Sequence, residues 1–276
     1  MLMKNTLIMF TAYAVLKMIL FIDLQLRFIP EIAFFNVGQG DSILIVTPDG
    51  KKLLVDGGPD FTADSYLSDY FPLNNCSLEA IFLTHPHQDH LEGLLRVLDH
   101  CKVRHVFYNE VSYSSGLYLE WVERLEERAF GSTRPFVAGD TLLLGGLELY
   151  NLWPSVEYLK NPDSNLNNSS LVFLAKHGNF EALLTGDAED PVLKQLPTPL
   201  VNGRLDVYKL SHHGSRNGFN YAFWKSLDPV NTVISVGVGN SFGHPHSDVL
   251  STLQNEDTLV KRTDVDGTIK IRYNSL

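Results

Sequence analysis

From residue 25 onward, short apolar runs alternate with Pro, Asp and Gly, the spacing of consecutive strands joined by turns. Leu26-Arg27-Phe28 and Ile32-Ala33-Phe34-Phe35 come first. Gly38 and Gly40 follow, then Ile43-Leu44-Ile45-Val46, a Pro48-Asp49-Gly50 turn and Lys52-Leu53-Leu54-Val55. The pattern predicts a short helix over residues 64–70, a buried strand over 80–84 and a helix over 91–100. Leu117, Trp121 and Leu125 recur every four residues with Glu and Arg between them, so 117–130 reads as an amphipathic surface helix. The second half repeats this rhythm. Two strands lie about Gly145-Gly146 within 141–152, and 171–176 and 180–184 form a hairpin across His177-Gly178-Asn179. Further strands follow over 206–210 and 232–236. Alternating strands and helices, with strand pairs in each half, imply a layered α/β fold.

Two of these strands deliver histidines at their carboxyl ends. Ala80-Ile81-Phe82-Leu83 runs into Thr84-His85-Pro86-His87-Gln88-Asp89-His90, and Leu210 runs into Ser211-His212-His213. Neutral imidazole and carboxylate are the ligands that suit zinc and its first-row neighbours, and four of them this close can serve two ions. His85 and His87 are two apart, so in an extended loop both point to the same side, and Pro86 stiffens that loop. Gly38, Gly40, Gly57 and Gly58 allow tight turns and close backbone approach beside it. Asp56 and Asp41 stand at strand ends near the loop. A ligating His commonly donates its other N–H to a carboxylate, so both are expected behind the ligands.

The pattern H-x-H-x-D-H after a strand resembles the signature of the metallo-β-lactamase superfamily. Asn36-Val37-Gly38-Gln39-Gly40-Asp41-Ser42, Val55-Asp56-Gly57-Gly58, Leu183-Leu184-Thr185-Gly186-Asp187, His212-His213-Gly214-Ser215, Gly243-His244-Pro245-His246 and Arg262-Thr263-Asp264-Val265-Asp266-Gly267 extend the likeness. They occur in the order seen in the branch that holds the soluble domain of ComEC-type DNA-uptake channels and free-standing relatives. The resemblance spans roughly residues 31–274. It implies an αββα sandwich of two mixed β-sheets flanked by helices, and a hydrolase with two divalent ions, zinc or manganese. It also implies that Asp187 bridges both ions and that His244, with His246 as the alternative, is a ligand. One position departs, since the channel-linked domains usually carry Asp where this chain has His87.

The superfamily's usual third histidine for the first ion has no match. His100, His105 and His177 fit a helix end, a strand start and a hairpin turn, and Asn167-Asn168-Ser169-Ser170 occupies the expected region. The His212-His213 pair is therefore expected to supply it, with His213 as ligand and His212 in support. The resulting scheme puts His85, His87 and His213 on the first ion, Asp89, His90 and His244 on the second, and Asp187 on both. Asp89, His90 and Asp187 are the residues expected at the reaction centre. Two such ions share a water or hydroxide whose pKa falls from 15.7 to roughly 7 on zinc, so no protein nucleophile is needed. A phosphate-cradling G-x-x-x-x-G-K is absent from the sequence.

The 276 residues carry no Pro/Ser/Gly-rich linker between the motifs, which argues for one hydrolase domain over 25–276. A net charge of −10 argues against broad nucleic-acid binding, but bound dications add positive charge where an anionic substrate would sit. DNA or another phosphodiester is the expected substrate class. Lactam, thioester or other ester hydrolysis, or a non-catalytic member of the fold, are the rivals. Lys209, Arg216 and Lys225 lie near the His212-His213 motif, where they could contact flanking phosphates, although a solvated surface charge is the expected role of each. No protein partner is identified. Cys76 and Cys101 form no metal or redox spacing, which leaves a disulfide between them open, and are expected as free thiols. The apolar segment within 1–24, with Lys4 before it and Lys17 inside it, leaves a membrane anchor, an export signal, an added helix or an upstream start before Met18 open. The first two place the protein at or beyond a membrane, the others in the cytoplasm.

Overall fold

A computed structural model describes residues 11, 13–18, 29–71, 75–198, 200–201 and 203–273. The first half lays down β1 (Glu31–Phe34), β2 (Ile43–Val46), β3 (Lys52–Val55), β4 (Ser77–Phe82), β5 (Lys102–Tyr108) and β6 (Ser132–Pro135). The second half lays down β7 (Thr141–Leu144), β8 (Leu147–Trp153), β9 (Val172–His177), β10 (Phe180–Leu184), β11 (Val207–Lys209), β12 (Asn231–Ile234), β13 (Leu259–Arg262) and β14 (Ile269–Arg272). Helices α1 (Thr62–Ser68), α2 (Gln88–His100) and α3 (Gly116–Glu126) belong to the first half. Helices α4 (Val156–Lys160), α5 (Asp190–Leu193), α6 (Tyr221–Leu227), α7 (Ser247–Gln254) and α8 (Thr263–Asp266) belong to the second.

Two seven-stranded sheets result, in the orders β14-β1-β2-β3-β4-β5-β6 and β13-β12-β11-β10-β9-β8-β7. Each is antiparallel on one side and parallel on the other, the change falling at β3 in the first sheet and at β10 in the second. The repeated rhythm of the sequence is thus a repeated half. Alternate side chains explain the layers, because successive residues of a strand face opposite ways. Ile32 and Phe34 of β1 pack between the sheets with Phe173 and Leu184, whereas Ala33 and Phe35 face outward to Leu91, Leu94 and Trp121 of the helical layer. On the far side Leu183, Tyr208 and Ile234 pack against Phe223, Trp224 and Leu253. Strands buried on both faces read as continuous apolar runs, which is the pattern of Ile43–Val46. The architecture is the expected αββα sandwich.

The metal loop is set against its neighbours by glycine. A Cβ on Gly40, whose φ is +134°, would stand 2.1 Å from the Asp89 carbonyl oxygen, and one on Gly57 would stand 2.2 Å from the Leu94 nitrogen. The space is used by backbone bonds: Asp41 N–H donates to the Asp89 carbonyl (3.2 Å) and Gly57 N–H to that of His90 (2.7 Å). The first turn of α2 is thereby fixed to the loops after β1 and β3.

Several expectations are corrected. Helix α2 begins at Gln88 rather than 91, because His87 is extended (φ −69°, ψ 150°) and Asp89 can sit in the first turn, where the helix dipole favours a carboxylate. Cys76 and Cys101 are not free thiols but a disulfide. They are brought together because Cys101 ends α2 where Lys102 N–H donates to the Cys76 carbonyl at 2.9 Å. Closing a loop of this size (sequence separation 25) stabilises by about 3 kcal/mol. Cys76→Ala/Cys101→Ala is accordingly expected to lower the urea unfolding free energy by roughly 2–4 kcal/mol while bound metal stays unchanged. Residues 13–18 are helical and exposed. The rest of the apolar 1–24 segment and the strand expected at Leu26–Phe28 lie outside the described residues. Among the described residues no helix is long and apolar enough to cross a membrane.

Candidate metal centre

Strand β4 ends at Phe82, and the loop that follows turns His85 inward, almost fully buried. Its Nδ1 meets Thr84 Oγ1 at 3.1 Å and Ser170 Oγ at 3.3 Å, and its Nε2 lies 2.9 Å from His87 Nδ1. His90, on the first turn of α2, is completely buried. Its Nδ1 is held by Asp56 Oδ2 at 2.8 Å. Asp56 also accepts from Thr84 N–H (2.8 Å) and from the Thr84 hydroxyl (2.7 Å), so one carboxylate ties the loop to the helix. Asp56 has φ +58°, a left-handed position that Asp and Asn tolerate better than most residues.

The second half supplies the facing wall. Asp187 follows β10 and the Thr185-Gly186 turn, and its N–H donates to Ser170 Oγ (3.1 Å). After β11, His212 and His213 both adopt positive φ (+49° and +55°), which sends their rings to different places. His213 turns inward. Its Nδ1 bonds the Ser235 carbonyl at 2.9 Å, so that nitrogen carries the proton and Nε2 faces the centre. His213 Nε2 lies 3.3 Å from Asp187 Oδ2 and 3.4 Å from Asp89 Oδ2, and His90 Nε2 lies 3.4 Å from the same Asp187 oxygen. Asp89, His90, Asp187 and His213 each offer a donor atom within 4.8 Å of the others. His90 Nε2, His213 Nε2 and Asp187 Oδ1 are buried without a hydrogen bond. Leaving bare polar atoms in a protein interior is unfavourable. Imidazoles anchored through Nδ1 with Nε2 converging on carboxylates are the arrangement that a divalent ion satisfies. The residues fit the ions that the sequence implies.

The structure groups the expected residues differently from the sequence scheme. His213 stands with Asp89 and His90, not with His85 and His87. His212, the expected supporting residue, points to the rim with Nδ1 at Glu189 Oε1 (3.2 Å), Nε2 at Asp187 Oδ2 (3.9 Å) and Asn167 Nδ2 3.4 Å away. His244 lies outside the four-donor group, its ring 5.4 Å from that of His212 and 6.5 Å from that of His213, with a buried, unbonded Nδ1. His246 Nδ1 is occupied by the Arg216 N–H at 3.2 Å. Asp41 stands behind both inner imidazoles, with oxygens 3.9 Å from His90 Nδ1 and 3.8 Å from His213 Nδ1. His100, His105 and His177 engage Asp64, Ser132 and the Gly146 carbonyl, away from the centre.

Lys209 is not a surface charge. It is fully buried, with Nζ 2.5 Å from Asp41 Oδ2, 3.0 Å from the Gly186 carbonyl and 3.7 Å from Asp187 Oδ1. A lysine flanked by Tyr208 and Leu210 inside an apolar strand was the available signal, because ammonium is seldom buried without a partner. Arg216 and Lys225 do lie on the surface, paired with Asp248 (2.6 Å) and Glu256 (2.5 Å). Ser170, Glu189, Asn167 and the Ser235 carbonyl also shape the centre, and only their fold neighbours reveal it.

Electrostatics divide the imidazoles. Burial, aided by the neighbouring His90, holds His85 well below the ordinary imidazole range, and burial likewise lowers His87. At His90 burial acts the same way, but Asp187, Asp89 and Asp56 outweigh it and the pKa stands well above the ordinary value. His213 is likewise penalised by burial yet raised to about 9 by Asp187 and Asp89. His244 is lowered to about 4 by burial and by His212 and His213. Asp187 is held far below the carboxylate range, since His213 and His90 overcome its burial. In the metal-free protein the inner imidazoles thus hold protons where ions would bind. Stability from the charged His213 is fully present below about 6.5 and is lost as pH rises through about 9. Ion binding must displace such protons. Zinc loading at pH 7.5 is therefore expected to release protons, seen as a buffer-dependent heat in titration calorimetry. Apparent zinc affinity should weaken from pH 8 to pH 6, and a pH-independent affinity would contradict the protonated metal-free centre.

Residues 35–199 match the family model of the metallo-beta-lactamase superfamily. The chain belongs to that superfamily. It is 30% identical over 263 residues to ComE operon protein 3 of Bacillus subtilis, covering 89% of this chain and 33% of that protein. It is 27% identical over 249 residues to Recombination protein 2 of Haemophilus influenzae, covering 88% of this chain and 29% of that one. The chain thus spans about a third of the length of these curated relatives. Among solved structures, the metallo-beta-lactamase fold protein YhfI of Bacillus subtilis superposes with a TM-score of 0.57 at 13% identity, over 88% of this chain and 100% of that one. That likeness shows the fold. Family and donor set together make the chain a metal-dependent hydrolase in class.

Proposed function

We propose that this chain cleaves phosphodiester bonds, with DNA or another phosphodiester as substrate and two divalent ions, zinc or manganese, as cofactors. The carrying observation is the convergence on Asp187 Oδ2, which has His213 Nε2 at 3.3 Å, His90 Nε2 at 3.4 Å and His212 Nε2 at 3.9 Å around it. Asp89, His90 and His213 form one donor set beside that oxygen. His85 and His87, with Nε2 and Nδ1 2.9 Å apart, form the other, and His212 approaches the same Asp187 oxygen from the rim. Two divalent ions, when bound, supply a nucleophile at neutral pH and offset charge on the attacking and leaving oxygens, which suits in-line displacement at phosphorus.

The chain's own residues do the positioning. Asp56 orients His90, the Ser235 carbonyl orients His213, and Glu189 with Asn167 holds His212 at the rim. Such supports keep donors in place while substrate enters and leaves. The sequence likeness to the DNA-uptake branch supports a phosphodiester over a lactam or thioester, and one relative is named for recombination. The test is metal analysis of the purified chain, then turnover of bis-p-nitrophenyl phosphate, single-stranded DNA, a thioester and a cephalosporin. Phosphodiester cleavage well above the other two classes is expected. Faster lactam or thioester turnover overturns the reading.

A further inference from the structure

Lys209 is a buried charge that the proposed reaction does not use. Its ammonium is enclosed by the Asp41 carboxylate at 2.5 Å, the Gly186 carbonyl at 3.0 Å and Asp187 Oδ1 at 3.7 Å. Asp187 is therefore divided: Oδ2 meets the imidazoles and Oδ1 faces the lysine. Four carboxylates, those of Asp41, Asp56, Asp89 and Asp187, surround the inner imidazoles. Glu189 lies beyond them, bonded to Asn167 and against His212. Four negative charges less the one of Lys209 leave three, and two dications, once an incoming anion has replaced any hydroxide on them, would turn that to one positive. Without the lysine the same loaded centre is neutral. A site with one net positive charge attracts an anion, and low-dielectric surroundings strengthen the effect.

We propose that Lys209 is a positioning residue and fixed counter-charge, which faces Asp187 Oδ1 at 3.7 Å and makes the ion-loaded centre accept a monoanionic oxyanion such as a phosphodiester. The inference rests on the two-ion reading above. It makes sign-opposed demands on two neighbours in direct contact. Lys209→Met removes a positive charge and should weaken anion binding. Asp41→Asn removes a negative one and should tighten it, although both substitutions disturb the same buried pair. A lysine that merely filled space would give weakening in both.

The experiment measures binding of inorganic phosphate by calorimetry to the full chain loaded with zinc, with metal content read alongside. Lys209→Met is expected to weaken phosphate about tenfold, Asp41→Asn to strengthen it about tenfold, and the double variant to return near the parent value. Two ions should remain in each. If Lys209→Met fails to fold around the stranded Asp41 carboxylate, the direction of Asp41→Asn decides alone. Weaker phosphate binding in Asp41→Asn, or equal binding in parent and Lys209→Met, overturns the proposal. Cleavage of bis-p-nitrophenyl phosphate is measured separately. The expected phosphate pattern without phosphodiester turnover would retain the role of Lys209 and remove the proposed substrate.

Discussion

Asp187→Asn is expected to reduce turnover on the order of a thousandfold and to lose at least one bound ion, with the far-ultraviolet circular dichroism of the parent. Asp187 Oδ2 has three imidazole nitrogens between 3.3 and 3.9 Å, so imidazoles from both halves of the fold converge on it. The amide keeps the shape and can still leave its backbone N–H on Ser170 Oγ. It removes the negative charge that the ions require, and charge stabilisation of several kcal/mol corresponds to about three orders of magnitude in rate. The fold should survive, because the neighbouring Thr185 hydroxyl and Lys209 ammonium keep their bonds to backbone carbonyls. His177→Ala is the control: that ring bonds the Gly146 carbonyl on a hairpin far from the centre and should change neither metal nor rate. Parent-like turnover in Asp187→Asn would reduce Asp187 to a turn residue.

The strands were readable wherever burial on both faces made continuous apolar runs, as at Ile43–Val46 and Ala80–Phe82. The hairpin of β9 and β10 was readable from its Gly-Asn turn. Helices α6 and α7 were not anticipated. Each is short, and its apolar residues (Phe223, Trp224 and Leu227; Val249 and Leu253) gain meaning only against the outer face of the second sheet. The disulfide was hidden for a related reason. Cys76 and Cys101 are distant in sequence, and only the parallel pairing of β4 and β5 brings their neighbours into register.

The centre was legible in its membership more than in its grouping. H-x-H-x-D-H after a strand singles out candidate ligands by chemistry and spacing. Which imidazoles stand together depends on backbone geometry that spacing does not encode. Positive φ at His212 and His213 swings adjacent rings apart, and Ser235, twenty-two residues away, captures the second of them. Charge alone puts the lysine of β11 on the surface, and only the fold reveals that it is buried. Its counter-ions come from a loop after β1 and a turn after β10, which the sequence separates by almost 150 residues.

Asp56→Asn is expected to leave the protein folded yet weaken binding of the ion beside His90 by 10- to 100-fold. The left-handed φ of +58° is one that Asn accepts, so the backbone is not strained by the change. The amide carbonyl can still accept the Thr84 N–H, replacing the 2.8 Å bond of the carboxylate. The other terminus becomes an NH2 group facing Thr84 Oγ1 and His90 Nδ1, where the carboxylate accepted at 2.7 and 2.8 Å. A donor there is met by an Nδ1 lone pair, which places the His90 proton on Nε2. That nitrogen then points an N–H, not a lone pair, at Asp187 and the ion site. The neutral ring would have to surrender that proton or break its bond to the introduced amide before it could ligate. Nitrogen-15 NMR of the imidazoles reads the tautomer directly, and zinc titration against a competing chelator reads the affinity. A His90 that stays protonated at Nδ1 with parent-like zinc affinity would show that Asp56 only braces the Thr84 loop. Asp56→Ala would strand Thr84 N–H and His90 Nδ1 together, and the loss of stability it causes would mask the tautomer effect that the amide isolates.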